Sequence, residues 1–198
     1  MTAPELYRAS PTNPLVTNKL ETKTEQVRSK GAGTIEGLHA EGPDPQLREK
    51  LMLFGRFVGD WDIIQDRYLL PDGRWVEQKG EVHWGWILDG KAVQDVWTSI
   101  DEKTGKSIIE GTTVRFYDPE IDAWHSVWLA PPQGAVKTFI GRQVGNEIVL
   151  EGRTKDGHPL KWIFSEITED SFRWHAEETW DNGETWTLTE EMTIRKRR

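Results

Sequence analysis

Residues 60–91 read DWDIIQDRYLLPDGRWVEQKGEVHWGWILDGK, and this stretch decides the fold. A run over 61–69 closes at Pro71-Asp72-Gly73, and a second over 75–87 closes at Leu88-Asp89-Gly90-Lys91. Aromatic and β-branched residues bounded by such turn residues mark strands, because Pro presets φ while Gly and Asp tolerate the tight reversal. Working outward, the same grammar continues to the end of the chain. Runs over 92–100, 108–117, 124–129, 136–144, 147–154, 160–168, 171–180 and 186–195 follow, closed by segments such as Asp118-Pro119, Gly145-Asn146 and Asp181-Asn182-Gly183. No helix-length segment separates these runs, so parallel crossovers are excluded and next-neighbour antiparallel pairing is expected. An open sheet of about ten strands would leave two bare edges, and closure removes them. The sequence therefore predicts an all-β meander barrel of about ten strands, a size that holds one small ligand. A two-sheet sandwich is the alternative, but the short links do not suggest its long Greek-key connections.

Upstream of the strands, Asp44 suits a helix N-cap and Pro45 the first helical position. Leu47, Leu51, Phe54 and Val58 follow at helical spacing, predicting a short helix over 44–57 that docks one apolar stripe on the barrel. Residues 1–43 carry Pro4, Pro11, Pro14 and Pro43 and no periodic pattern. They read as an extended arm, with 44–198 as the barrel domain. Leu15, Val16, Leu20, Ile35 and Leu38 are the apolar anchors by which the arm would dock, either as a lid in cis or exchanged in a homodimer.

The 198 residues suit one domain able to bury a core of its own. There is no cysteine, which excludes disulfides and thiolate chemistry. No apolar window long enough to span a membrane and no secretory leader is present in the sequence, which predicts a cytoplasmic protein with no membrane partner. The net charge is −8, with the signs interleaved and only Arg195-Lys196-Arg197-Arg198 as a basic run, so no nucleic-acid partner is expected. There are 11 Trp against 3 Tyr and 6 Phe, which calls for either a Trp-filled core or an indole-lined pocket.

Phe57-Val58-Gly59-Asp60-Trp61, following the short helix, resembles the Gly-x-Trp opening of lipocalin-like, or calycin, barrels. In those proteins the Trp sits at the closed end under an Arg of the last strand, and the resemblance places Arg195 there. Residues 50–195 are similar to a bacterial lipocalin-like family known as domain of unknown function 1579. The resemblance rests on Gly59-Asp60-Trp61, Leu88-Asp89-Gly90, Phe116-Tyr117-Asp118-Pro119, and Ser171-Phe172-Arg173-Trp174 followed by Asp181-Asn182-Gly183-Glu184-Thr185-Trp186. It implies a fold more firmly than a reaction, since calycin barrels include carriers, haem binders and enzymes. The haem-binding branch opens Gly-x-Trp-x-Gly-x-Gly and offers a late His. Here Trp61 is followed by Asp62-Ile63-Ile64 and the last strand lacks His, so haem is not expected.

Trp84 with Trp86, and Trp124 with Trp128, each share one strand face, and Trp162 and Trp174 repeat the pattern beside Phe164 and Phe172. If these faces point inward, Trp84, Trp86, Trp97, Trp124, Trp128, Trp162 and Trp174 wall a pocket for a flat ligand. Glu81 with His83, and His175 with Glu177, pair a carboxylate with an imidazole at i and i+2, as general-base chemistry requires. On an outward face the same pairs are surface contacts of little value. His125 lies in an apolar run, and Arg115 lies on the preceding one. An inward Arg115 needs an anion from the protein or the ligand. His83, Arg115, His125, His175 and Glu177 are thus the candidate catalytic groups. The His spacings are not diagnostic of a metal site, and no phosphate-cradling Gly motif is present, so no metal or cofactor is expected.

Beside a plain interaction protein whose arm mediates assembly, two functions remain open on the sequence. One is binding of a small apolar or aromatic molecule in an indole-lined cavity. The other is cofactor-independent acid–base catalysis, as a lyase, isomerase or cyclase, on an aromatic or polyketide-like substrate in the same cavity. A carrier should have an apolar interior with at most one polar anchor, and an enzyme several buried titratable groups on one cavity wall.

Overall fold

The computed structural model describes residues 38–198. Most of the arm, and with it the lid or exchange role expected of it, lies outside the described residues. A short helix α1 (Arg48–Gly55) precedes ten strands: β1 (Gly59–Leu69), β2 (Trp75–Ile87), β3 (Ala92–Ile100), β4 (Ser107–Asp118), β5 (Ala123–Ala130), β6 (Ala135–Val144), β7 (Glu147–Arg153), β8 (Pro159–Ser165), β9 (Ser171–Glu178) and β10 (Thr187–Lys196). Each strand pairs antiparallel with its neighbour in sequence, and β1 pairs with β10 to close the barrel. The expected meander barrel is the fold, and among the described residues no sheet edge is left open. Among the described residues, no helix is long and apolar enough to cross a membrane.

The helix is shorter than the expected 44–57. Asp44 Oδ1 accepts from Gln46 N at 2.9 Å, and its carbonyl accepts from Leu47 N, so residues 45–47 form a turn. Residues 56–57 are likewise a turn, with Phe57 N donating to Phe54 O. Leu51, Phe54 and Phe57 are fully buried. Gly55 lets the helix close on the barrel, because a Cβ there would fall 2.3 Å from the Trp86 ring. Upstream of the turn, Ala40 N donates to Trp86 O at 2.9 Å, pinning the chain to the end of β2.

This end of the barrel is closed by packed rings. Phe54 meets Trp124 edge-on at 4.9 Å, and Phe57 lies 4.6 Å from Phe172. Trp61 is 1% exposed, and its Nε1 donates to Phe57 O at 2.6 Å. The cation above Trp61 is Lys196, with Nζ 5.5 Å from the ring, and not Arg195. The β1–β10 register decides this: Trp61 pairs with Lys196 and Asp62 with Arg195, so Arg195 faces outward. Arg197 then bridges Asp62 and Glu81 on the outer surface, at 2.6 Å to each.

Candidate functional site

Inward residues of the strands enclose one cavity of about 610 Å³ above this closed floor. Neighbouring strands are antiparallel, so the floor collects the start of β1 and the end of β2, and the mouth collects the opposite ends. Trp84, Arg115, Phe164 and Phe172 stand toward the floor, and Tyr68, Gln133, Glu178 and Thr189 toward the mouth. The volume is in the range of small-molecule sites.

Five of the seven expected indoles line this cavity: Trp84, Trp97, Trp128, Trp162 and Trp174. Four of them form an edge-to-face series, with Trp97–Trp128 at 6.3 Å, Trp128–Trp162 at 6.1 Å and Trp162–Trp174 at 5.3 Å. Gly111 opposite Trp128 makes room for it, since a Cβ there would sit 2.5 Å from the ring. Trp86 and Trp124 also point inward but are used at the closed end, against Gly55 and Phe54.

The structure does not bring the five candidate catalytic groups together. His83 lies on the outer wall between inward Val82 and Trp84, with Nδ1 2.7 Å from Asp60 and Nε2 3.4 Å from Glu81. His125 stacks on exposed Phe116 at 5.0 Å and contacts Asp118 at 3.0 Å. His175 and Glu177, 3.7 Å apart, share the outer face of β9. None of these four lines the cavity. Only Arg115 does: it is 2% exposed, paired with Asp95, and lies 4.5 Å over the Trp84 ring. Asp95 Oδ1 also accepts from Thr113 N at 3.2 Å. Burial holds Arg115 below the usual guanidinium range and Asp95 offsets part of that, so the anion that an inward Arg115 needs comes from the neighbouring strand.

Besides the Arg115–Asp95 pair, the acidic and basic groups that face the cavity lie outside the candidate set. Glu110, Lys137, Glu178 and Glu190 line it. Asp66 is fully buried behind them, its Oδ2 accepting from Gln78 Nε2 at 2.7 Å while Oδ1 has no partner among the described residues. Ser99 and Gln133 hold Glu110 at 2.6 and 3.0 Å. Burial and, after it, the neighbouring Asp66 push the Glu190 carboxyl up to about 8 against the opposing Lys137. Burial also raises Asp66, to about 6, against the Gln78 hydrogen bond. The two titrate as a pair that holds about one proton at neutral pH.

Strand parity explains why these groups were missed. Glu190 shares its face with Met192 and Ile194, and Glu178 with Trp174 and Ala176, so a parity signal existed in the sequence. Asp66 and Glu110 had no such signal. Irregularities between Ile63 and Gln65, and between Trp97 and Thr98 opposite Gly111 and Ile109, turn them inward.

A raised carboxyl pKa ties stability to pH with a definite sign. The folded protein holds protons that the unfolded chain releases above about pH 4, so this contribution is complete below that pH. It is lost as pH rises through about 6 for Asp66 and about 8 for Glu190. Glu190→Gln is therefore expected to be more stable than the parent at pH 9 by on the order of 3 kcal/mol, and to differ little at pH 5. Urea midpoints at the two pH values check this, and equal gaps at both would exclude a buried proton.

No family model and no curated protein sequence matches the chain. Solved structures do. Rv2717c from M. tuberculosis superposes with a TM-score of 0.53 at 12% identity, over 79% of this chain and 99% of that one. The S-type phycobiliprotein lyase CPES from Guillardia theta superposes with a TM-score of 0.50 at 15% identity, over 74% and 91%. Both are lipocalin-like barrels. At these identities the likeness carries the fold alone.

Proposed function

We propose that the barrel binds one small, planar aromatic molecule within its cavity. The observation that carries this reading is the set of five indoles around one space of about 610 Å³, with a ring-packed floor below. Stacking on such walls releases ordered water and fixes a flat ligand between rings at little entropic cost to the protein. The expected result is quenching or a shift of the intrinsic fluorescence by aromatic ligands. Trp97→Phe or Trp128→Phe should reduce that response, and Trp86→Phe, altered at the closed end, should leave it. A flat response to a broad panel of aromatic and fatty ligands would overturn the reading.

The Glu190–Asp66 pair favours a second reading, acid–base catalysis of the lyase or isomerase type on the bound molecule. Glu190 would hold the mobile proton, and Glu110, Glu178 and Lys137 are the other titratable side chains on the wall. Exchange of a carbon-bound proton of the bound ligand with deuterated water, lost in Glu190→Gln, separates catalysis from carriage.

A further inference from the structure

We propose that the occupant is an aromatic cation, its ring among Trp97, Trp128 and Trp162 and its positive charge against the carboxylates of Glu110, Glu178 and Glu190. This rests on the reading of the cavity as an aromatic binding site and assigns the charge of what enters it.

Charge bookkeeping within the cavity points this way. The lining holds the acids Asp95, Glu110, Glu178 and Glu190 and the bases Arg115 and Lys137. Arg115 and Asp95 neutralise each other at the buried ion pair. Among the described residues, the other three carboxyls and the buried Asp66 behind them then face the single ammonium of Lys137, and because the Asp66–Glu190 pair holds about one proton at neutral pH, about three negative charges stand against that one positive charge. A concave space with low-dielectric walls focuses such a potential. An entering anion would meet this field unpaired, and an uncharged hydrocarbon would leave it unsatisfied.

The indole walls act in the same sense. The face of an indole is the negative end of its quadrupole and attracts cations within about 6 Å. The barrel already uses this on its own side chains, with Lys137 Nζ 5.7 Å from the Trp162 ring and the Arg115 guanidinium 4.5 Å from the Trp84 ring. A heteroaromatic cation satisfies rings and carboxylates together.

The groups facing Glu190 are Asp66 and Tyr68 of β1 and Lys137 of β6, with Glu178 of β9 and Glu110 of β4 elsewhere in the cavity lining. A cation beside Glu190 favours its carboxylate form, so at neutral pH binding should release a proton to solvent.

The test uses three bicyclic probes of similar size and different charge: 1-methylquinolinium, 1-methylnaphthalene and 1-naphthoate. Each is titrated into the full chain at pH 8 and followed by intrinsic fluorescence. The quinolinium is expected to bind at least about tenfold more tightly than the hydrocarbon, and the naphthoate most weakly. Calorimetry near pH 7 in buffers of different ionisation enthalpy should show proton release for the quinolinium only. Glu178→Gln, altered near the mouth, and Glu190→Gln should each cut the cation preference at least threefold and leave hydrocarbon affinity within about twofold. Equal binding of quinolinium and hydrocarbon would overturn the charge assignment and leave the aromatic site standing. Tightest binding of naphthoate would overturn it too. Silence toward all three probes would remove the aromatic site itself.

Discussion

Trp61→Ala is expected to lower stability by about 3–5 kcal/mol, the range for a large aromatic truncated in a core. Two interactions are lost together. The ring is 1% exposed and packs edge-on against Phe172 at 5.0 Å, so its removal opens a void at the closed end. Its Nε1 hydrogen bond ties β1 to the turn after α1 through Phe57 O, which would be left unpaired. Phe57 in turn contacts Trp84 at 5.2 Å and Phe164 at 5.4 Å, so the void lies directly under the cavity floor. Trp61→Phe keeps most of the volume and should cost less, mainly through the hydrogen bond. A denaturant titration measures both variants, and a loss under about 1 kcal/mol for the alanine would show that the closed end is not held by this ring.

Asp95→Ala is expected to be as severe, at about 3–5 kcal/mol, for an electrostatic reason. Arg115 and Asp95 have side chains only 3% and 5% exposed, so neither charge can turn to water. Removing Asp95 strands a guanidinium among Phe54, Trp84 and Phe164, and it also takes the acceptor from Thr113 N. Removing both charges should cost far less, because desolvation of the pair consumes most of what its attraction returns. The double variant Asp95→Leu with Arg115→Met is therefore expected to recover most of the loss. A thermodynamic cycle over the four proteins checks this, with additive single losses as the overturning outcome. The same variants bear on the cavity, since Asp95→Ala gives its floor a free positive charge and should weaken entry of any cation.

The residues themselves determined the class and the topology of this protein. Turn segments such as Pro71-Asp72-Gly73 and Asp181-Asn182-Gly183 punctuate ten runs, and links this short permit only neighbour-to-neighbour antiparallel pairing. The i, i+2 pairing of Trp residues also showed which faces carry indoles, because strand parity is local. Tertiary structure alone decided what those faces do. Trp86 and Trp124 obey the same parity as Trp84 and Trp128, yet the first two close the barrel and the other two line its cavity. The difference is height along the barrel, set by where α1 docks. The pairs of His83 with Glu81 and of His175 with Glu177 look alike in sequence wherever they face, and only the closed sheet puts them outside. Asp66 and Glu110 enter through local shifts in strand register, which depend on how adjacent strands pair and leave no mark in either strand alone. Arg195 and Lys196 exchange roles over Trp61 for the same reason: one step of register moves a side chain to the other face.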